Sequence, residues 1–261
     1  KPAGKMKRWM YVYFAVDVYT YDLLHLALFP HNDEESAQAF LLALRAKGYH
    51  PRVVVTDLRQ DYGPVVARVF PQAAHHECIF HALQNVQEYV QEVYGRDYTE
   101  THPEAAVLKQ AVYAIFKAKS KRTAGQRYAL VQGLREEYVQ AQPGAAVIFD
   151  FLARHWPKLA NGIESDLIVS TNNTVELVIR RFDQHYQNFC GFERIESAAL
   201  FLGVFEKLYR FTPFSRDAQP TIRGQCPLQL AGYDISQLPM ATLCRGLSII
   251  WPMEVSHVPN S

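Results

Sequence analysis

The sequence carries almost no net charge. Its 27 lysine and arginine residues nearly balance its 26 aspartate and glutamate residues, which gives a formal net charge of +1 at pH 7. A strongly basic surface field, of the kind that attracts nucleic acid from all sides, is therefore excluded. Any contact with DNA must depend on local groups of basic side chains.

The sequence also lacks a disulfide framework and a membrane segment. Its four cysteines are scattered through 261 residues, which favours a reducing compartment. No apolar run approaches the roughly 18 residues that a transmembrane helix needs, and no signal peptide is visible. We therefore expect a cytoplasmic protein without a membrane partner. The first residue is Lys1 rather than methionine, so we expect a fragment of a longer chain.

Residues 53–81 carry the most informative pattern. Three valines precede Thr56 and Asp57, which predicts a short buried strand with Asp57 at its carboxyl end. Open α/β sheets usually place their chemistry at this end of their strands. A helix is predicted over residues 61–70. A dense polar cluster follows it, at His75, His76, Glu77, Cys78 and His81.

The remaining hydrophobic patterns predict an α/β frame interrupted by a block of helices. Strands over residues 9–17 and 23–29 are expected to form an antiparallel hairpin, and a helix follows that ends at Gly48. The next patterns are all helical, over residues 79–94, 103–119, 124–140 and 145–156. A late helix contains Glu176 in its first turn or so, and another is predicted over residues 195–211.

Three segments, in this order, resemble DDE transposases of insertion sequences, including the Mutator-like branch. The segment around the second catalytic aspartate of the family is similar to VVVTDLRQDYGPVVARVFPQAAHHECIFHALQNV. The segment around the catalytic glutamate is similar to STNNTVELVIRRFDQHYQNFCGFERIESAALFLGVFEKLYRF. An arm that follows the catalytic core in the family resembles TIRGQCPLQLAGYD. The resemblance covers about residues 9–234.

The resemblance implies a ribonuclease-H-like α/β fold, in which a mixed sheet is flanked by helices and interrupted by an all-α insertion. The implied segments are residues 1–81 as the first part of the core, 82–165 as the helical insertion, 166–212 as the end of the core with the glutamate helix, and 213–261 as a peripheral arm. Such a sheet opens with three antiparallel strands. Only two are predicted before the first helix, so we expect the first strand to lie before residue 1.

The function implied by the resemblance is metal-dependent DNA cleavage and strand transfer during transposition. Asp57 would be the second catalytic carboxylate, Glu176 the third, and two Mg²⁺ or Mn²⁺ ions the cofactor. Hard divalent ions prefer oxygen ligands, and a pair of them suits phosphodiester displacement. The residues alone leave alternatives open. Asp57 could instead cap the strand end, and Glu176 could be an ordinary first-turn glutamate favoured by the helix dipole.

Asp17 is the candidate within this chain for the first carboxylate. In the family, a segment like YVYFAVDVYTYDLLHLALF matches the second and third strands, and the catalytic aspartate lies upstream. We therefore interpret Asp17 as a structural residue that fixes the hairpin turn, with a metal-ligand role as the alternative. On this interpretation the chain by itself lacks one of three metal ligands.

Cys78 and His81 match the Cys-x-x-His pattern of the family. We interpret them as a structural link between the strand and the following helix, in preference to a zinc site. A zinc site would need further ligands such as His75 or His76, but consecutive residues of a strand point to opposite faces. A third hypothesis for the function is a zinc-dependent interaction module built on Cys78 and His81.

Basic side chains at two places are candidate DNA contacts. The run at residues 119–122 could equally be a solvated surface with a favourable helix-dipole placement, and Arg180 could instead pair with Glu176 on the same helix face. The implied partners are the transposon ends and the target DNA, with a homo-oligomer in the active complex and a location in a prokaryotic cytoplasm, on the nucleoid when bound to DNA. The alternative function is an inactive transposase relic that only binds DNA or supports assembly. The candidate contacts are Arg180 and Arg181 near Glu176, and Lys119, Lys121 and Arg122 at a predicted helix end.

Overall fold

The computed structural model describes residues 9–165, 168, 173–187, 192 and 194–235. The predicted C-terminal arm therefore lies partly outside the described residues, from residue 236 onward, and so do Cys190 and Cys244. The strands and α-helices are β1 (Tyr11–Val16), β2 (Leu23–Phe29), α1 (Glu34–Ala46), β3 (Val53–Thr56), α2 (Tyr62–Val69), β4 (Ala74–Glu77), α3 (Ile79–Tyr94), α4 (Tyr98–Thr101), α5 (Pro103–Phe116), α6 (Lys121–Gly133), α7 (Arg135–Ala141), α8 (Ala146–Leu159), α9 (Asn173–Tyr186), α10 (Ile195–Phe211) and α11 (Pro227–Leu230).

The chain divides into two compact units. One contains Lys1–Pro30 with Thr174–Ser261, and the other contains His31–Asn173. The strands form two separate pairs, β1 with β2 and β3 with β4. The fold is thus a helix-rich α/β mixture, as predicted, but the single ribonuclease-H-like sheet is not confirmed. The division into four segments remains a prediction.

In the first unit, two helices cover an antiparallel hairpin. Strands β1 and β2 pair from Tyr11 opposite Phe29, with an irregularity between Ala15 and Val16. Alternation along the strands gives the hairpin one apolar face, and α9 and α10 supply the other half of the core. Packing of α9 on this face fixes the helix that carries Glu176. The buried core residues of this unit are Leu23, Leu26, Val178, Phe182, Leu202, Phe205 and Tyr209.

A buried ion pair ties the hairpin turn to α10. The Arg210 guanidinium donates from Nε and Nη2 to the two carboxylate oxygens of Asp22, at 2.7 and 2.8 Å. The Tyr209 hydroxyl donates to the Tyr21 carbonyl at 3.0 Å. Burial raises the pKa of Tyr209 to about 12, so this hydroxyl remains a donor at physiological pH. Bidentate pairing fixes the planes of both groups, so the turn is held rigidly to the end of α10.

The second unit begins with a helix and a parallel βαβ motif. Asp33 caps α1 by accepting from the Ser36 N–H at 2.9 Å, and Gly48, at φ +90°, follows its end as predicted. Strands β3 and β4 pair in parallel, from Val53 opposite Ala74 to Thr56 opposite Glu77. Helix α2 connects them, as parallel strands require a crossover.

Helices α3 to α8 pack around a separate hydrophobic core within the second unit. The block of helices expected after residue 82 is therefore present. The observed helices differ from the predicted ones in two places. First, the helix predicted over residues 124–140 is broken at Leu134 into α6 and α7. Second, helix α8 continues through Pro157 to Leu159, beyond its predicted end at Trp156. Buried Leu159 and His155 anchor this last turn, and their packing outweighs the hydrogen bond that proline removes.

Candidate active site

Asp57 lies directly after β3, at the carboxyl end of the parallel pair. Its side chain is half-buried, and its Oδ1 accepts a hydrogen bond from the Arg59 backbone N–H at 3.1 Å. In the described part of the chain, no hydrogen bond reaches its other carboxylate oxygen. One oxygen is thus fixed by the backbone, and the second remains available to a ligand. A hard oxygen donor in this position fits Mg²⁺ or Mn²⁺.

A hydrogen-bond chain reaches the backbone of Asp57 from β4. The Thr56 hydroxyl donates to the Asp57 carbonyl oxygen at 2.7 Å, and Thr56 Oγ1 lies 2.9 Å from His75 Nε2. Since the only hydroxyl proton is used in the first bond, Nε2 must be the donor in the second. Burial, and next the charge of Lys158, lowers the pKa of His75 to about 4, so the ring is neutral at physiological pH.

A buried carboxylate, Glu77, lies at the end of β4 with two partners from α8. Glu77 is 1% exposed. Its Oε2 lies 2.6 Å from His155 Nδ1, and its Oε1 accepts from Lys158 Nζ at 3.1 Å. Burial acts to raise the pKa of Glu77, but the hydrogen bonds and charges of His155 and Lys158 outweigh it and lower that pKa below its ordinary value. The carboxylate is therefore charged and paired at neutral pH.

The end of α8 also contacts the backbone and the second histidine of β4. Asn161 Nδ2 donates to the His75 carbonyl at 2.7 Å, and His76 Nδ1 lies 2.9 Å from the Lys158 carbonyl. A Cβ placed on Gly162 would lie 2.7 Å from the His76 ring, so only glycine permits this approach. Sequence reasoning assigned no role to His155, Lys158 or Asn161. The one available signal was Glu77 in a buried strand, which requires a cationic partner but does not identify it.

Glu176 lies in the first turn of α9, in the other unit. Its side chain is half-buried, and α9 is anchored by Val178 and Phe182. The two predicted ligands thus come from different units, and their convergence remains a proposal. Arg180 is exposed on α9. Arg181, by contrast, lies over the rings of Tyr209 and Phe214, with its Cζ atom 5.7 and 5.2 Å from their centroids.

Asp17 caps the turn between β1 and β2. Its Oδ1 accepts three hydrogen bonds, from the Tyr19 N–H at 3.1 Å, the Thr20 N–H at 2.7 Å and the Thr20 hydroxyl at 2.8 Å. Its own N–H donates to the Asp22 carbonyl at 2.9 Å. These are the contacts of an aspartate that stabilises a turn. The stability and the DNA cleavage of Asp17→Ala and Asp17→Asn distinguish this role from metal binding.

The family model for transposases of the ISL3 type, which are DDE transposases, matches residues 4–151. The match includes Asp17, Asp57 and the Cys78–His81 pair and extends over more than half of the 261 residues. The chain belongs to this transposase family. The match names the ISL3 type, so the predicted Mutator-like branch is not confirmed. Glu176 lies beyond the matched residues. No curated protein matches the chain.

In this transposase Cys78 is a buried residue at the start of α3. Its backbone N–H donates to the Thr56 carbonyl at 2.9 Å, which links the start of α3 to the end of β3. His81 lies in the first turn of α3, half-buried. Among the residues described, no group of three or more histidine, cysteine, aspartate or glutamate side chains could hold a metal ion. The structural role of the Cys-x-x-His pair remains a prediction.

The basic residues of the helical block lie at the break between two helices and at the start of the second one. Helix α5 ends at Phe116, earlier than the pattern indicated, and α6 begins at Lys121. Lys119, Lys121 and Arg122 are all exposed. Lys121 and Arg122 lie in the first turn of α6 and not at a helix C-terminus, so the favourable helix-dipole placement considered as an alternative for this run does not apply to them. No helix within the described ranges is long and apolar enough to cross a membrane.

A side chain at Gly63 would displace the tip of Lys158, which pairs with Glu77. A Cβ on Gly63 would lie 2.5 Å from Lys158 Nζ, whereas a Cβ on Gly125, in α6, meets nothing within 4 Å. Both positions are helical, so alanine should otherwise be preferred. We expect Gly125→Ala to raise the free energy of unfolding by about 0.5–1 kcal/mol and Gly63→Ala to lower it by about 1–2 kcal/mol. Denaturant unfolding measures both, and equal stabilisation by the two variants contradicts the contact.

Two substitutions at Asp17 separate its possible roles. Asp17→Ala removes the acceptor of three hydrogen bonds and should cost about 1–2 kcal/mol of stability. Asp17→Asn keeps a side-chain oxygen at that position, so we expect near-native stability and near-native DNA cleavage. An Asp17→Asn variant that is as stable as the parent protein but does not cleave DNA identifies Asp17 as a metal ligand instead.

Proposed function

We propose that the chain is the catalytic part of a DNA transposase that cleaves and joins DNA strands with divalent metal ions. The observation that carries this proposal is Asp57, which follows a half-buried parallel strand inside the family match and keeps one carboxylate oxygen without a hydrogen bond in the described residues. The sequence pattern predicts a fully buried strand at this position, which is not what is found. Glu176 joins it on the strength of the family resemblance. DDE transposases generally use divalent metals, and transposition implies that DNA is the substrate.

In this proposal, Asp57 and Glu176 would hold two Mg²⁺ or Mn²⁺ ions with the first carboxylate of the family. When bound, such ions activate the attacking oxygen and stabilise the departing one. The chain's own task is to hold the two carboxylates at fixed positions. The Arg59 N–H orients the Asp57 carboxylate, and the packing of Val178 and Phe182 holds the helix that presents Glu176.

DNA contacts are proposed at the exposed cations, Arg180, Lys119, Lys121 and Arg122. Each would add a phosphate contact that orients DNA without reading its sequence. Arg181 is a weaker candidate, because its guanidinium already packs on two aromatic rings. The ribonuclease-H-like arrangement and a homo-oligomeric active complex are further parts of the proposal. No finding favours the alternative of an inactive relic.

The test is strand cleavage by the full-length protein on DNA that carries the ends of its own element. We expect nicking with Mg²⁺ or Mn²⁺, loss of nicking with a chelator, and recovery on adding metal back. Zinc alone should not restore it. Binding of the DNA ends without cleavage under any divalent metal contradicts the catalytic proposal and supports the relic.

A further inference from the structure

Three hydrogen bonds in series connect the turn after α8, Ala160–Gly162, to the backbone of Asp57. The Asn161 amide donates to the His75 carbonyl at 2.7 Å. The His75 ring then contacts Thr56 Oγ1 at 2.9 Å, and the Thr56 hydroxyl donates to the Asp57 carbonyl at 2.7 Å. The family resemblance assigned no role to His75 or Asn161.

The donor and the acceptor of each hydrogen bond between Asp57, Thr56 and His75 can be assigned. The Thr56 hydroxyl has one proton and donates it to Asp57, so His75 must donate from Nε2; the neutral ring then carries no proton on Nδ1. The Nδ1 atom is buried and has no hydrogen-bond partner among the described residues. It faces the same backbone position as Lys158 Nζ, since a Cβ on Gly63 would lie 3.7 Å from His75 Nδ1 and 2.5 Å from Nζ. A second proton on the ring would therefore place two cations side by side.

This series of hydrogen bonds holds the backbone of Asp57, whereas the Arg59 contact holds its carboxylate. The Arg59 N–H holds the carboxylate, whereas the Thr56 hydroxyl holds the peptide plane that follows Asp57. Together the two contacts constrain both the rotamer and the backbone of Asp57, on which the direction of its carboxylate depends. Partners of this kind behind a ligand typically change metal affinity or activity about 10–100-fold when removed.

We infer that Thr56 and His75 are positioning residues for Asp57, and that Asn161 connects them to the turn after α8. This inference rests on the proposed metal-ligand role of Asp57. The helical block thereby contributes to the geometry of the catalytic carboxylate through β4, without touching it. Thr56 is the essential member, since it is the one that contacts both His75 and Asp57.

The experiment uses the full-length protein with paired variants. Thr56→Val and His75→Leu remove the hydrogen bonds, while Thr56→Ser and His75→Gln keep a hydroxyl and an N–H donor. We measure the cleavage rate at saturating DNA and metal, the apparent KM for DNA, Mn²⁺ affinity by electron paramagnetic resonance, and the denaturation midpoint. Thr56→Val and His75→Leu should each lower the cleavage rate or the Mn²⁺ affinity about 10–100-fold with an unchanged KM for DNA. The conservative variants should recover most of the loss.

The double variant Thr56→Val/His75→Leu tests whether Thr56 and His75 act on Asp57 through one connected series of hydrogen bonds or independently of each other. It should be no worse than the more affected single variant, because either change breaks the same chain. Losses that multiply overturn the inference, and so does a lowered denaturation midpoint with normal cleavage and Mn²⁺ affinity, which indicates a structural brace alone. If Thr56→Val is fully active while Asp57→Asn is inactive, the inference fails and the proposed function stands. If Asp57→Asn is also active, the proposed function itself fails.

Discussion

Asp57→Asn is expected to lower metal-dependent DNA cleavage by about a thousandfold or more. Binding of divalent ions by a carboxylate contributes several kcal/mol to stabilisation of the transition state, and each 1.4 kcal/mol corresponds to a factor of about ten in rate. The asparagine keeps the oxygen that accepts from the Arg59 N–H, so the fold should not change. The cleavage rate and the denaturation midpoint are measured together.

The same substitution at Asp33 is the matched control. Asp33 caps α1 through Ser36, and asparagine is an equally good helix cap, so Asp33→Asn should keep full activity. Glu176→Gln should be as inactive as Asp57→Asn. Its control is Glu196→Gln in the first turn of α10, where only a helix-dipole contact of about 0.3–1 kcal/mol is lost. Cleavage by Asp57→Asn within tenfold of the parent rate rules out the metal-ligand role.

Glu77→Gln should be the most destabilising of the conservative substitutions. It leaves Lys158 and His155 facing an uncharged group in a site where Glu77 is 1% exposed. Removing one member of a buried ion pair typically costs 3–5 kcal/mol. Because Lys158 is 35% exposed and can be partly hydrated, we expect about 3 kcal/mol. Denaturant unfolding at neutral pH measures this loss.

The control for Glu77 is an ion pair at the surface. Arg68 and Glu34 pair at 2.9 Å, but their side chains are 53% and 50% exposed. Glu34→Gln should therefore cost less than about 1 kcal/mol. Equal losses for Glu34→Gln and Glu77→Gln contradict the buried network at β4.

Two groups of this network should make stability depend on pH. The lowered pKa of Glu77 means that its contribution is complete above the ordinary glutamate pKa of about 4.3 and is lost as pH falls through its folded-state value. His75 changes stability at higher pH than Glu77 does, because its ring binds a proton near pH 6.5 in the unfolded chain but only near pH 4 in the folded chain. Stability should thus fall as pH decreases from about 6.5 to 4, and His75→Gln should flatten this interval.

Local patterns predicted the elements that carry the candidate ligands. Strand β2 and helices α3 and α10 have the limits that their hydrophobic periods indicated, and Asp57 follows its strand as expected. In each case the signal lies within one short segment. Helix α4 has only four residues, too few for a hydrophobic period to appear.

The polar contacts could not be predicted, because they join residues far apart in the chain. Asp22 and Arg210 are separated by 188 positions, and Glu77 and His155 by 78. A buried carboxylate indicates that a cation must be near, but the cation is determined by tertiary packing. Thr56 and His75 are 19 positions apart, and their contact follows from the parallel register of β3 and β4.

The central proposal is that Asp57 and Glu176 bind the same metal ions. The most direct test is Mn²⁺ affinity, measured by electron paramagnetic resonance on the full-length protein, Asp57→Asn, Glu176→Gln and the double variant. If both side chains bind one site, each single variant weakens Mn²⁺ binding and the double variant loses less than the sum of the two free-energy changes. Purely additive changes, or wild-type affinity in either single variant, would contradict the claim.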